Sequence, residues 1–312
     1  MNNDVFKGRD LLSLADFTPA EFLHVIEVAS AQKRIWATGK RSTPLVGKAV
    51  AIVLQKPSMR TRMSFEVACV RLGAHPLIMT GPDGAFSRGE SVRDTAKVME
   101  RYVDAIVVRT YAQSLIEEFA EACSVPVINA LTDEHHPCQG LADFQTIQER
   151  MGRLAGVRFA YVGDGNNMAH TYLLAGALSG MDVRIATPSG FEPDASIVAQ
   201  ARAIAEGTGG RISVGIDPVA AVGGADVIAT DTWASMGQES EHASRLASFQ
   251  PFQINEGLLA HASPDVLFMH CLPAHRGEEV TDQVMDHACS IVYDEAENRM
   301  HAQKALLSLV LG

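Results

Sequence analysis

A chain of 312 residues, 47% of them hydrophobic, exceeds one ordinary core and suits two domains of roughly 150 residues each. Its 26 Lys and Arg against 37 Asp and Glu leave a net charge of −11 with no basic tail, so the electrostatic footprint of a nucleic-acid binder is missing. No stretch approaches the roughly 18 apolar residues of a membrane span, and the opening MNNDVFKGRDLLSL lacks a basic region followed by an apolar one. The five cysteines, Cys69, Cys123, Cys138, Cys271 and Cys289, form no CxxC pair, which favours a reducing compartment and a cytoplasmic location.

Along the chain, Thr18-Pro19-Ala20-Glu21 combines an N-cap, a proline suited to the first helical position and a capping-box glutamate, and predicts a helix to about Gly39. Short β-branched or apolar runs follow at Ala49–Leu54, Pro76–Met79, Ala105–Val108 and Pro126–Ile128, each succeeded by a helical segment. A helix from about Cys138 to Met151 leads to further strand candidates at Val157–Val162, Val183–Thr187, Arg211–Val214, Val227–Thr230, Val266–His270 and Ile291–Tyr293. Near-continuous apolar strands alternating with helices mean parallel sheets covered on both faces, so the expected fold is α/β, two doubly wound domains joined by helices. The expected division is 1–137, then 138–294, with a helix over about 295–312 packing back onto the first domain. The loop near Gly81-Pro82-Asp83-Gly84 and the segment Gln238–Ser248, rich in Gly, Ser and charge, read as the most mobile regions.

Ligands of open parallel sheets bind beyond the carboxyl ends of strands, so the residues after each strand carry the functional reading. Lys56-Pro57-Ser58-Met59-Arg60-Thr61-Arg62 leaves one strand and starts a helix that ends near Gly73. Its hydroxyls, its arginines and the free N–H groups of a first helical turn suit a phosphate; the plainer alternative is a Ser-capped helix with exposed arginines. Arg109 ends an apolar strand at Val107-Val108-Arg109-Thr110. In His135-His136-Pro137-Cys138-Gln139, His136 and Gln139 lie three apart at a helix start, where an imidazole N–H can meet a carbonyl and an amide can pair with an amide-like group; two polar caps on a linker helix is the plainer reading. Adjacent His135, His136 and Cys138 make a poor zinc set, because neighbours in sequence do not easily converge on one ion.

Tyr161-Val162-Gly163-Asp164-Gly165-Asn166-Asn167-Met168 invites a dinucleotide reading that fails twice: the third glycine falls at Met168, and the strand that should end in a ribose-binding acid ends at Thr187. Asn166 and Asn167 suit a zwitterion instead. In Thr230-Asp231-Thr232-Trp233-Ala234-Ser235-Met236-Gly237, Asp231 can hold an ammonium group while Ser235 and the Met236 backbone contact the rest of an amino acid. His270-Cys271-Leu272-Pro273 again ends a strand; Cys271 reads either as a nucleophile or as an inert buried thiol.

Taken together, Ser58-Met59-Arg60-Thr61-Arg62, Arg109-Thr110, His136-Pro137-Cys138-Gln139, Asp231 to Gly237, His270-Cys271-Leu272-Pro273 and Glu295-Ala296-Glu297-Asn298-Arg299 resemble the ornithine carbamoyltransferase family, end to end and in family order. The first element and His136-Pro137 belong to carbamoyltransferases generally; Cys138, Ser235-Met236-Gly237 and His270-Cys271-Leu272-Pro273 point as a set to ornithine. The resemblance implies that Ser58, Met59, Arg60, Thr61 and Arg299 bind the phosphate of carbamoyl phosphate, with Arg109 and His136 on its carbonyl side and Gln139 near its nitrogen. It also implies that Asn167, Asp231, Ser235 and Met236 hold L-ornithine, and that Cys271 and Leu272 lie where the two substrates meet. Arg109, His136, Cys271 and Asp231 are the residues expected to carry catalysis, with no metal and no cofactor. The family usually has Thr where this chain has Met59, a mild change if the position contributes its backbone N–H. A homotrimer is implied too, each site completed by a neighbouring chain's loop at about Pro82–Glu90. The reaction so implied is attack of a neutral δ-amine on the carbamoyl carbon through a tetrahedral oxyanion, giving citrulline and phosphate.

Overall fold

The computed structural model describes residues 1–80, 89–234 and 242–312. By contacts the chain forms two compact units, Met1–Gln145 with Asn298–Gly312, and Thr146–Glu297.

In the first unit α1 (Pro19–Ala37) precedes β1 (Ala49–Leu54), α2 (Met59–Leu72), β2 (His75–Thr80), α3 (Val92–Met99), β3 (Ala105–Arg109), α4 (Gln113–Ala122), β4 (Val127–Leu131) and α5 (Pro137–Met151). The expected capping box closes α1: Thr18 Oγ1 accepts from Glu21 N (3.3 Å) and Thr18 N donates to Glu21 Oε2 (2.8 Å). The four strands are parallel in the order β2-β1-β3-β4. Central β1 and β3 are buried along nearly their whole length, as their unbroken apolar sequences require, while Pro76 sits on edge strand β2, where a missing N–H is tolerated. Gly73 ends α2 at φ +83°, and a Cβ there would lie 2.9 Å from both Thr43 and Val46 side chains, so the turn out of α2 needs glycine twice over.

The second unit runs β5 (Arg158–Val162), α6 (Asn167–Leu178), β6 (Asp182–Ala186), α7 (Ala195–Thr208), β7 (Arg211–Gly215), α8 (Pro218–Val222), β8 (Val227–Thr230), α9 (His242–Phe249), α10 (Glu256–Leu259), β9 (Leu267–His270), α11 (Asp282–Met285) and α12 (Val292–Leu311). Its five strands are parallel in the order β7-β6-β5-β8-β9. Edge strand β7 is partly exposed and β5 and β8 are buried, the gradient that an open doubly wound sheet imposes. Helix α6 is buried along its entire length, and its sequence NMAHTYLLAGAL accordingly carries no charged residue and no polar face.

The chain leaves the first unit within α5 and re-enters it within α12. There Lys33 Nζ donates to Asn298 Oδ1 (2.7 Å), Gln32 Nε2 to Ser308 Oγ (2.8 Å) and Gly8 N to Val310 O (3.0 Å). One expected strand is absent: Ile291–Tyr293 carries the start of α12, and only Ser290 bridges to Phe268. Three β-branched or aromatic residues read equally well as a strand or as a first helical turn, and Asp294 and Glu295 behind them favour the positive end of a helix.

Candidate active site

Each sheet reverses its strand order once, between β1 and β3 in the first unit and between β5 and β8 in the second. The segments that leave those strands face one another at the reversal, where open α/β sheets bind ligands. The register pairs Leu54 with Arg109, which sets the Ser58 turn beside the end of β3. Ser58 caps α2, its Oγ accepting from Thr61 N (3.2 Å), and the buried Thr61 hydroxyl meets Arg109 Nη1 at 3.5 Å. Arg109 is itself buried, its backbone carbonyl tied to Gln55 N at 2.9 Å. Met59 opens the helix with its side chain 68% exposed, so what it presents inward is backbone. Arg62 does not join the cluster: two positions on from Arg60 it points elsewhere on the helix, exposed and paired with Glu66 at 3.8 Å. Lys56, which sequence reasoning passed over, is buried over the Tyr111 ring (4.3 Å) and paired with Asp133.

His136 and Gln139, at the start of α5, are buried in the same unit, with Gln139 N donating to His136 O (3.0 Å). Arg299, from α12, reaches Gln139 Oε1 through Nη1 (2.5 Å), while Gln139 Nε2 donates to Asp143 Oδ1 (2.7 Å). Burial first, and then the charges of Arg299, Arg109 and Arg60, hold the His136 imidazole well below its usual pKa. Three guanidinium groups therefore bear on one uncharged imidazole, which can offer an N–H without adding a fourth positive charge. Neighbouring Cys138 is inert: its thiol is buried, donates to Asn129 O (3.3 Å) and is pushed up to about 12. His135, His136 and Cys138 are not brought together as a ligand set among the described residues.

In the second unit Asn166 caps α6, its Oδ1 accepting from Met168 N (2.9 Å) and Ala169 N (3.3 Å), and its Nδ2 donating to Asp231 Oδ2 (3.0 Å). The turn is tight: a Cβ on Gly165 would fall 2.4 Å from backbone atoms of Phe191, Glu192 and Pro193. Register between β8 and β9 pairs Thr230 with His270, so the residues that follow, Asp231 and Cys271, stand together and Cys271 Sγ donates to Asp231 Oδ1 at 3.1 Å. Asn167 is buried at the first position of α6. Ser235 and Met236, expected beside them, lie outside the described residues, as do most of the Pro82–Glu90 loop and the first part of Gln238–Ser248.

His270 does not serve Cys271 as a base. Its Nδ1 accepts from Leu272 N (2.9 Å) and its Nε2 faces Glu279 Oε1 at 3.1 Å, so the proton sits on Nε2 and the ring is held from both sides. Leu272 sits at φ +60°, unusual for a leucine, and that hydrogen bond holds it there. Asp231, His270 and Cys271 do place ligand-type atoms within 4.8 Å of one another, but both His270 nitrogens are already engaged, so the trio makes a poor metal site.

Sequence reasoning missed Asp164 and Arg245. Arg245 Nη1 donates to Asp164 Oδ2 and to the Trp233 carbonyl, both at 2.8 Å, bracing the turn after β5 against the segment after β8. Burial outweighs that arginine and pushes the Asp164 carboxyl up to about 6, with Asp231 adding to the rise. No local signal links two residues 81 positions apart.

Two family models match nearly the whole chain: the carbamoyl-phosphate-binding domain of aspartate/ornithine carbamoyltransferase over residues 9–149, and its Asp/Orn-binding domain over residues 155–310. An ornithine carbamoyltransferase of Pyrococcus abyssi is 54% identical over 98% of this chain and 96% of its own length. The enzyme of Pyrococcus furiosus, named as anabolic, is 52% identical over 98% of this chain and 97% of its own. The structure of ornithine carbamoyltransferase from Pyrococcus furiosus superposes with a TM-score of 0.96 over 98% of both chains, and that from Gloeobacter violaceus, 46% identical, with 0.89 over 98% of this chain and 99% of the other. With two phosphate- and amine-suited strand ends in place and matches that run from one end to the other, the chain belongs to the aspartate/ornithine carbamoyltransferase family.

Proposed function

We propose that this protein transfers the carbamoyl group of carbamoyl phosphate to the δ-amine of L-ornithine, giving L-citrulline and phosphate. The observation that carries the choice of amine is Asp231, a buried carboxylate fixed by Asn166 and Cys271 where the second sheet reverses. A carboxylate there suits an amino group and repels aspartate, the other amine of the family. The relatives named above act on ornithine, in agreement with it.

In this reading Ser58, the Met59 backbone, Arg60, Thr61 and Arg299 bind the phosphate, where the N-terminus of α2 adds its partial positive charge. Arg109 and neutral His136 donate to the carbamoyl oxygen and stabilise the oxyanion as the amine attacks. Gln139, its carbonyl held by Arg299 and its amide by Asp143, orients the carbamoyl nitrogen. Asn167, Ser235 and Met236 bind the α-amino acid end. Ornithine's δ-amine, with a pKa near that of lysine at about 10, reaches the site mostly protonated, and Asp231 with Cys271 directs it and helps remove its proton. Leu272, with Cys271, lies where the two substrates meet. Nothing covalent forms on the protein, and positioning two substrates supplies up to roughly 7–11 kcal/mol of the barrier.

The proposed direction is citrulline synthesis, as in the relative named anabolic, and the proposed assembly is a homotrimer whose sites are each completed by the loop around 82–90 of a neighbour. The five cysteines are free thiols, which supports a reducing, cytoplasmic setting. Citrulline formation by the purified protein with carbamoyl phosphate tests the assignment, comparing L-ornithine with putrescine, N-acetylornithine and aspartate. A large preference for ornithine is expected; preference for another amine overturns the roles of Asp231 and Asn167, and inactivity with all four overturns transfer itself.

A further inference from the structure

Gln139, in the first turn of α5, ends in an amide whose two faces are chemically opposite, an acceptor oxygen and a donor nitrogen of nearly equal size. Its neighbours decide which end points where. Asp143, four positions on along the same helix, accepts from Gln139 Nε2 at 2.7 Å, and Arg299 Nη1 donates to Gln139 Oε1 at 2.5 Å. All three side chains are buried. A carboxylate accepts and a guanidinium only donates, so turning the amide over would set N–H against N–H at one end and oxygen against oxygen at the other. Each is a buried hydrogen bond exchanged for a repulsion, and the low dielectric around them enlarges both.

The oxygen is the end that the proposed reaction requires. Carbamoyl phosphate carries an NH2 group on its reacting carbon, where acetyl phosphate, of nearly the same shape, carries a methyl. A carbonyl oxygen has two lone pairs, so Oε1 can accept from a guanidinium and from a substrate N–H together, whereas an NH2 in its place would oppose the carbamoyl nitrogen. Arg299 alone does not secure that orientation during turnover. In the reading above it also binds the phosphate, so its hold on Oε1 is divided once substrate arrives, while Asp143 serves the amide from its own helix.

We propose that Asp143 is a positioning residue that sets specificity: by holding Gln139 Nε2 it fixes Oε1 as the acceptor that tells a carbamoyl group from an acetyl group. The inference rests on the transfer reading and on Gln139 meeting the carbamoyl nitrogen. Asp143 acts through Gln139, and its effect falls on the choice of acyl phosphate.

Citrulline formation gives the KM for carbamoyl phosphate, and inhibition of the same reaction by acetyl phosphate gives a Ki; the ratio of Ki to KM measures the discrimination. In Asp143→Asn the new amide can offer either an N–H or an oxygen, so Gln139 turns over freely. The ratio should fall roughly tenfold or more, through a higher KM with little change in Ki, because the lost contact is one that acetyl phosphate never makes. Combining Asp143→Asn with Gln139→Glu exchanges the acid and the amide: the new asparagine donates to the new carboxylate and an acceptor faces the substrate again. Added negative charge weakens both acyl phosphates alike and cancels in the ratio, which should return to within about threefold of the parent. An unchanged ratio in Asp143→Asn, KM and Ki rising together, or a double variant that discriminates no better than Asp143→Asn would each overturn the proposal. Should Asp143→Asn not fold, the double variant decides: a ratio near the parent's supports the exchange of roles, and a collapsed ratio overturns it. A parent that forms no citrulline would overturn the transfer reading and this proposal with it, an outcome told apart because it appears before any substitution is made.

Discussion

Replacing Arg109 by Met separates chemistry from stability in a single side chain. Methionine keeps most of the apolar stem in the buried slot at the end of β3 and removes only the guanidinium. Removing one preorganised donor from a developing oxyanion costs about 2.7–4 kcal/mol, or roughly 100- to 1,000-fold in turnover at about 1.36 kcal/mol per tenfold. After burial, the charges of this guanidinium and those of Arg60 and Arg299 all bear on the neutral His136, so the three arginines crowd one site and removing one relieves repulsion among them in the ligand-free protein. The thermal midpoint should accordingly hold or rise while kcat collapses, the trade expected where a site is built for a substrate rather than for itself. Citrulline formation under saturating carbamoyl phosphate, run beside calorimetric unfolding, measures both. A kcat within about threefold of the parent would refute Arg109 as an oxyanion donor, and a loss of activity matched by a large fall in the midpoint would refute the claim that its charge is a liability to folding.

Met59→Thr, restoring the family's usual residue, should change the KM for carbamoyl phosphate by no more than about twofold, because the Met59 side chain is largely exposed and only its backbone faces the turn; a larger gain in affinity would show that a hydroxyl belongs there. Gly165→Ala drives a Cβ into backbone at 2.4 Å and should lower stability by about 1–3 kcal/mol and raise the KM for ornithine, since Asn166 follows directly; an unchanged unfolding midpoint in urea would contradict the packing described. For pH, the sign follows from the depressed His136: below the ordinary histidine pKa of about 6.5 the unfolded chain binds a proton that the folded one refuses, so this group's contribution is constant above that pH and falls as the solution is acidified through it. The urea midpoint of the parent should therefore fall relative to that of His136→Gln as the pH drops from about 8 to about 5; parallel curves would exclude His136 as the cause.

Much of the architecture was legible because both sheets are parallel and doubly covered, so strands such as AVAIVL and AIVVR read as unbroken apolar runs. Capping residues were legible too, Thr18 and Ser58 among them, since their hydrogen bonds span three residues. Ile291–Tyr293 failed because three residues hold no period. Arg62, grouped with Arg60 among the arginines of the turn, lies instead on the outer face of α2, where Glu66 four residues on pairs with it. What sequence did not carry were contacts closed by topology: Arg299 on Gln139, 160 positions away, Arg245 on Asp164, and the clamp of Glu279 that makes His270 a support for Leu272 rather than a base for Cys271. Each needs the strand order to bring distant segments together, and residue spacing says nothing of strand order.

The passage of the chain out of the first unit within α5 and back within α12 makes one domain an insertion in the other. During synthesis, residues 146–297 are all made before Asn298 and Arg299, so the inserted domain has its complete sequence while its host still waits for a helix. Closing that gap of about 150 residues is an entropic penalty that grows only logarithmically with length, and a folded insert holds its two ends in place and reduces it further. The inserted domain thus acts as a template that delivers α12 to its host, and the guanidinium that steadies Gln139 is among the later parts of the anion site to arrive. An unstable insert would then be felt first as slow completion of the host, before any substrate is bound.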